Sequence, residues 1–203
     1  NKTKLYCVGD DWQSIFGFRG TEPSIMRDFD KHFTNSHGSA MIRLNKTFRF
    51  DNSINDISSK FLMKNPNQIS KELITHKKSS KLSVYLHWIE PVSIEESVSN
   101  WVKEYSKKEE NKDKNLLILF RYNKYRPSEK LRKKIEKSWS DGRQVRYKSL
   151  HLSKGHEEDV VLIIGLEGSK KEPERSSFPS GYKDDEILSM VLDKYDDFPF
   201  SDE

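Results

Sequence analysis

Two unbroken apolar runs, Leu116-Leu117-Ile118-Leu119-Phe120 and Val160-Val161-Leu162-Ile163-Ile164, constrain this chain more than anything else in it. A strand with one wet face alternates between polar and apolar residues. Five consecutive branched or aromatic residues suit a strand covered on both faces, as in a parallel sheet. Such a sheet needs crossovers between its strands, and the rest of the sequence supplies helical periodicity for them. Ile54, Ile57, Phe61 and Leu62 recur at helical spacing after a cap at Asp51 or Asn52 and before Pro66. Ser93 and Glu96 form a capping box ahead of the stripe Ile94, Val98, Trp101, Val102, Tyr105. From Pro127, Leu131, Ile135 and Trp139 make a third stripe that ends before Gly142, and Ile187, Leu188, Val191 and Leu192 make a fourth. Each stripe predicts a helix with one face packed on the sheet. Weaker strand signals lie at Lys4-Leu5-Tyr6-Cys7-Val8, at Val84, Leu86 and Trp88, and at Val145, Tyr147 and Ser149. Residues 168–181, rich in Ser, Lys, Glu and Pro, read as a surface loop. The expected fold class is α/β, a mostly parallel sheet with helices on both faces.

The 203 residues suffice for one domain, or a domain and a fragment of its neighbour. A mean hydropathy of −0.86 leans toward disorder. Against that, Leu, Ile, Val and Phe make up about a quarter of the chain, above the roughly 20% below which a core becomes implausible. The expectation is a folded domain with a heavily charged surface. No apolar run approaches the roughly 18 residues of a membrane span, and no signal peptide is visible. A single cysteine, Cys7, excludes an internal disulfide and fits a reducing compartment, so a cytoplasmic location is expected. The formal charge of +4 permits nucleic-acid binding without requiring it. The chain starts without Met and stops without a closing element, and is expected to be a piece of a longer protein.

Three segments carry chemistry. In Val8-Gly9-Asp10-Asp11-Trp12-Gln13-Ser14-Ile15-Phe16-Gly17-Phe18-Arg19-Gly20, Gln13 can both donate and accept, as a sensor of a terminal phosphate and its attacking water must. Phe16 and Phe18, two apart on a Gly-broken segment, suit stacking on unpaired bases while Arg19 meets a phosphate; the bland alternative buries both rings. The second segment is Leu44-Asn45-Lys46-Thr47-Phe48-Arg49-Phe50, where Arg49 offers a planar, permanent charge suited to transferring phosphoryl oxygens. The third is Ser149-Leu150-His151-Leu152-Ser153-Lys154-Gly155-His156-Glu157, leading into the buried run at Val160.

In this order and spacing the three segments resemble motifs of the UvrD/Rep-like superfamily-1 DNA helicases. The resemblance implies that Gln13 and Arg49 are catalytic and that Phe48, standing where tyrosine is usual, stacks on adenine. It implies that Gly155 makes the tight turn near the nucleotide and that Glu157 binds the ribose, although His156 stands where Leu is usual. It further implies that Phe16, Phe18, Arg19, Ser149, His151 and Lys154 contact DNA. Leu119-Phe120-Arg121-Tyr122-Asn123 resembles the family's strand exit and adds Arg121 and Asn123 to the expected DNA contacts.

The Gly-x-x-x-x-Gly-Lys-Ser/Thr phosphate loop of that family does not occur in the 203 residues, and by the resemblance both it and the Asp-Glu pair that holds Mg²⁺ belong to the first motor domain, upstream. By the resemblance, residues 1–36 are the end of a first RecA-like domain and its crossover, and 37–203 most of a second, lacking the phosphate-loop domain. The complete enzyme is then expected to use ATP and Mg²⁺ and to act on single-stranded DNA and duplex junctions. The fragment alone is expected to bind neither cofactor, to have no metal site of its own and no membrane partner, and to hydrolyse no ATP. Its natural partner is the first RecA-like domain of the same chain; without it, the apolar strand at 4–8 is expected to recruit another edge, including that of a second copy. The competing reading is a helicase-like module that binds DNA or a partner without turnover, for instance within a helicase–nuclease complex.

Overall fold

The computed structural model describes residues 4–15, 19–33, 39–87 and 94–166. They fall into two compact units, one of described residues through Tyr85 and one from Leu86 onward.

The second unit holds the hydrophobic core. Strand β3 (Leu116–Phe120) is the centre of a three-stranded parallel sheet, flanked by β4 (Val145–Ser149) and β5 (Val160–Ile164). The register is unbroken: Leu116 lies opposite both Val145 and Val160, and Phe120 opposite both Ser149 and Ile164. All five residues of β3 are buried, as the first apolar run predicts. Helices α4 (Ile94–Ser106) and α5 (Glu129–Trp139) bring Val98, Val102, Leu131, Ile135 and Trp139 into one cluster with Leu116, Ile118 and Phe120. Alternation along a strand puts those three β3 residues on a single face. Among the described residues both helices therefore cover the same side of the sheet, and the expected two-sided covering is seen on one side only. On the other side Leu117 and Leu119 are buried, but Val161 and Ile163 of β5 are nearly half exposed.

That second side carries a strap. Since β4 and β5 run parallel, residues 150–159 must return from one edge of the sheet to the other. A turn at His151–Ser153 and a left-handed Gly155 (φ 82°) reverse the chain. The return is marked by three contacts. Lys148 Nζ lies 2.8 Å from His156 Nε2, Arg146 Nη1 lies 3.4 Å from Glu158 Oε2, and the Asn115 N–H donates to Asp159 Oδ2 at 3.0 Å. Val145 and Tyr147 pack toward the helices. Arg146 and Lys148, alternating with them, face the strap.

Helix α5 starts where the sequence places it, with Ser128 Oγ accepting the Leu131 N–H at 3.2 Å, and stops before Asp141 and Gly142, both at positive φ. The stripe of α4 is found as expected; Ser93 of its capping box lies outside the described residues.

In the first unit, β1 (Lys46–Asp51), α3 (Asn52–Leu62) and β2 (Ile74–Lys77) form a βαβ crossover with parallel strands. Asp51 caps α3 by accepting the Ile54 N–H at 3.2 Å. Two short helices, α1 (Ser24–Arg27) and α2 (Phe29–His32), precede them. Three expectations are corrected here. Ile57 and Phe61 of α3 stay half exposed, because two strands are too narrow to cover the apolar stripe. Lys4–Val8 forms no strand, and Leu5 and Val8 are exposed without ladder partners. Residues 82–87 form no strand either, Leu86 being exposed; Trp88 lies outside the described residues, as do the loop at 168–181 and the stripe at 187–192. Among the described residues no helix is long and apolar enough to cross a membrane.

Candidate functional site

The turn that carries Gln13 is held by an unusual density of polar contacts. Asp10 caps a single 3-10 turn, Asp11–Gln13, its carboxylate accepting the Trp12 N–H at 3.2 Å. Asp11 is only 4% exposed. Its Oδ2 accepts the Ile69 N–H at 2.7 Å, and Trp12 Nε1 donates to the Ile69 carbonyl at 3.1 Å. Two residues further on, the Lys71 ammonium lies 2.5 Å from Asp11 Oδ1, an ion pair off the hydrogen-bonding direction, and forms a hydrogen-bonded ion pair with Asp10. It also sits 5.0 Å from the centroid of the Trp12 ring. Gln13, on the exposed side of the turn, donates Nε2 to Asp10 Oδ2 at 2.5 Å. Burial pushes the Asp10 carboxyl up. Hydrogen bonds from Lys71 and Gln13, with the ammonium's charge, outweigh that and hold it below the ordinary value. Arg19 is exposed just before Gly20, whose φ is 82°. Phe16 and Phe18 lie outside the described residues.

Strand β1 presents the second segment. The Phe48 ring is 59% exposed, tilted against the His76 ring at 5.0 Å, with Lys46 Nζ 5.2 Å from its centroid. Arg49, next along the strand, is exposed on the opposite face. Its N–H donates to Thr47 Oγ1 at 3.4 Å, and its carbonyl accepts from Lys77 Nζ at 3.4 Å. The strand's exit is fixed by side chains. Asp51 accepts from the Ser83 hydroxyl at 2.5 Å, and Asn52 pairs with the Ser79 backbone through both amide atoms, at 3.2 and 2.7 Å. An exposed, apolar ring and a permanent planar charge thus stand at consecutive positions, on opposite faces of β1.

In the second unit, Arg121 and Asn123 follow β3, and Ser149, His151, Lys154 and Gly155 end or follow β4, all at the carboxyl edge of the parallel sheet. Open α/β sheets bind ligands at this edge. A hydrogen bond from the Leu150 N–H to the Phe120 carbonyl, at 2.9 Å, ties the two strand ends together. The side chains differ in what they offer. Ser149 is buried, with its hydroxyl 3.4 Å from the Leu152 N–H it accepts. Lys154 and Asn123 are exposed, and His151 is partly so. Arg121 lies 5.4 Å from the Tyr122 ring centroid, and its Nε is buried without a hydrogen bond. Gly155 makes the left-handed turn expected of it, in open space where a side chain would be strained by φ alone. Glu157 is exposed on the strap, between His156 and Glu158, and so is set back from the strand ends. The strap also accounts for His156: its ring nitrogen meets the Lys148 ammonium, which a leucine could not do.

The sequence reading missed Lys71. Its partners stand about 60 positions upstream, and an isolated lysine carries no periodicity or motif to mark it. The buried Asp11 was legible only as part of an acidic turn.

The described residues define an α/β protein with parallel strands, whose motif-bearing segments lie in tight turns, along β1 and at strand ends. Comparison with known proteins narrows this class. The UvrD/REP helicase N-terminal domain family matches residues 1–34. The chain is 30% identical over 204 aligned residues to DNA helicase IV of Escherichia coli strain K12, covering all of this chain and 27% of that protein. It is 36% identical over 77 residues to DNA helicase II of Rickettsia typhi, covering 38% of this chain and 11% of that protein. No solved structure matches significantly. The chain is thus similar to UvrD/Rep-type DNA helicases along its whole length, and it spans about a quarter of its Escherichia coli relative.

Proposed function

We propose that this chain is part of an ATP-dependent DNA helicase that translocates on single-stranded DNA and unwinds duplex. Residues 37–203 would form most of its second RecA-like domain, and residues 1–36 the end of the first. The observation that carries this reading is the alignment with DNA helicase IV across the whole chain, motif segments included. The parallel strands of both units are what a RecA-like domain requires. The match of residues 1–34 to a separate, N-terminal family supports the boundary near residue 36.

On this reading ATP, taken up with Mg²⁺ by the complete enzyme, supplies the phosphoryl group whose transfer to water drives movement. Gln13 orients that water at the terminal phosphate. Arg49 meets the charge spread over the transferring oxygens, and Phe48 stacks on the base. Gly155 allows close approach to the nucleotide and Glu157 contacts its ribose. Arg19, Arg121, Asn123, Ser149, His151 and Lys154 line the path of the DNA backbone, and Phe16 and Phe18 stack on its bases.

The test is single-stranded-DNA-dependent ATP hydrolysis and strand separation by the complete protein. Both are expected. Tight single-stranded DNA binding with no turnover would favour the non-motor module instead.

A further inference from the structure

We propose that Lys71 is a positioning residue for Gln13, acting through Asp10; the proposal rests on the reading of Gln13 as the residue that orients water at the terminal phosphate. The geometry is a chain of three charged or polar groups. The Lys71 side chain is 16% exposed and its ammonium meets two consecutive carboxylates, Asp10 and Asp11. The ammonium's hydrogen bond and charge act on Asp10 against the effect of its partial burial, and hold its carboxylate in place within the turn.

An ionised carboxylate only accepts hydrogen bonds. Asp10 Oδ2 faces the Gln13 carboxamide at 2.5 Å, so the amide must present its nitrogen there. The two ends of a carboxamide lie on opposite sides of its carbon, so its oxygen is directed away from Asp10. That oxygen is the end able to accept a proton from water. A neutral or displaced Asp10 would remove the preference, and the amide would turn freely between two orientations, one of which offers water only a donor. Lys71 thus decides, through one intermediate carboxylate, which end of Gln13 faces outward.

The backbone supports the same arrangement. Ile69 accepts from Trp12 Nε1 and donates to Asp11, so the segment carrying Lys71 and the turn carrying Gln13 are pinned at three successive side chains. With the domain boundary proposed near residue 36, this pin joins the two motor domains, since Lys71 lies beyond that boundary and Gln13 before it.

The experiment compares Gln13→Ala, Lys71→Met, Lys71→Arg, Asp10→Asn and Gln13→Ala/Lys71→Met in the complete protein by DNA-stimulated ATP hydrolysis. Misorienting a water-positioning group should lower kcat in Lys71→Met roughly 10²-fold. Loss of orientation alone should leave KM for ATP and the Kd for single-stranded DNA within about twofold. Lys71→Arg should recover most of the rate, because a guanidinium can bridge two carboxylates. The double variant should be no slower than Gln13→Ala alone, as expected when one residue acts through the other. Wild-type kcat in Lys71→Met, or additive losses in the double variant, overturns the proposal. Should Lys71→Met fail to fold, Asp10→Asn is decisive, since it keeps the shape and loses the charge: a kcat loss at unchanged melting temperature supports the relay, and wild-type kcat overturns it. Full activity in Gln13→Ala overturns the sensor reading and this one with it. An inactive Gln13→Ala beside an unimpaired Lys71→Met overturns the relay alone.

Discussion

Trp139 Nε1 donates to the Lys114 carbonyl across 2.8 Å, from the last turn of α5 to the residue pair that precedes β3. The indole is fully buried among Ile135, Val102 and Leu116, so it is at once a core side chain and a hydrogen-bonded link between helix end and strand entry. Trp139→Ala should cost about 3–5 kcal/mol. Trp139→Phe keeps the ring and strands the carbonyl, and should cost about 1–3 kcal/mol. Urea melts of the chain check both values, and a Trp139→Phe variant as stable as the parent would mean that the hydrogen bond contributes nothing.

The α3 cap should make the first unit sensitive to acid. The Ser83 hydroxyl, with the N–H groups of Ile54 and Ser53 and the charge of Lys77, holds the Asp51 carboxyl below its ordinary value despite the opposing effect of burial. A carboxyl lowered on folding contributes stability that is complete above its unfolded pKa and is lost as the pH falls through its folded one. Asp51→Ala should cost about 0.5–2 kcal/mol near neutrality, whereas Asp51→Asn keeps a competent cap. The asparagine variant should lose the part of the acid dependence that Asp51 supplies, measured as helix content by circular dichroism between about pH 6 and about pH 2.

Arg49→Ala in the complete protein should reduce ATP hydrolysis roughly 10³-fold or more. Its affinity for single-stranded DNA should stay near that of the parent protein, as measured by fluorescence anisotropy. A parallel loss of both properties would point to a misfolded domain rather than a missing charge.

Phe16 and Phe18 are proposed to stack on bases, giving a grip that tolerates sequence and selects single strands. Phe16→Ala or Phe18→Ala in the complete protein should each weaken DNA binding by roughly 1–3 kcal/mol with little change in melting temperature. Core rings would behave differently: their truncation costs about 3–5 kcal/mol of stability, a large drop in melting temperature.

The second unit was legible because its elements obey simple periodicities. Five-residue apolar runs gave β3 and β5, and the stripes ending at Tyr105 and Trp139 gave α4 and α5. The first unit was not. Lys46–Asp51 alternates polar and aromatic residues at only two apolar positions and, among the described residues, pairs with one short neighbour, so its strand signal was too short to stand out. Lys4–Val8 looks like a strand and has, among the described residues, no ladder partner to make it one. The motif segments were readable as motifs, but their supports were not. Lys71 reaches Asp10 and Asp11 through tertiary structure, and His156 meets Lys148 only because the chain doubles back.

That doubling back has a mechanical consequence. A five-residue strand is about 17 Å long, and an extended residue covers at most about 3.5 Å. Residues 156–159 alone reach at most about 14 Å, so the return already begins within the turn at residues 151–155. The four are tethered at Lys148, Arg146 and Asn115. Little free chain is left to absorb a displacement of the turn at His151 and Lys154 before it reaches β5.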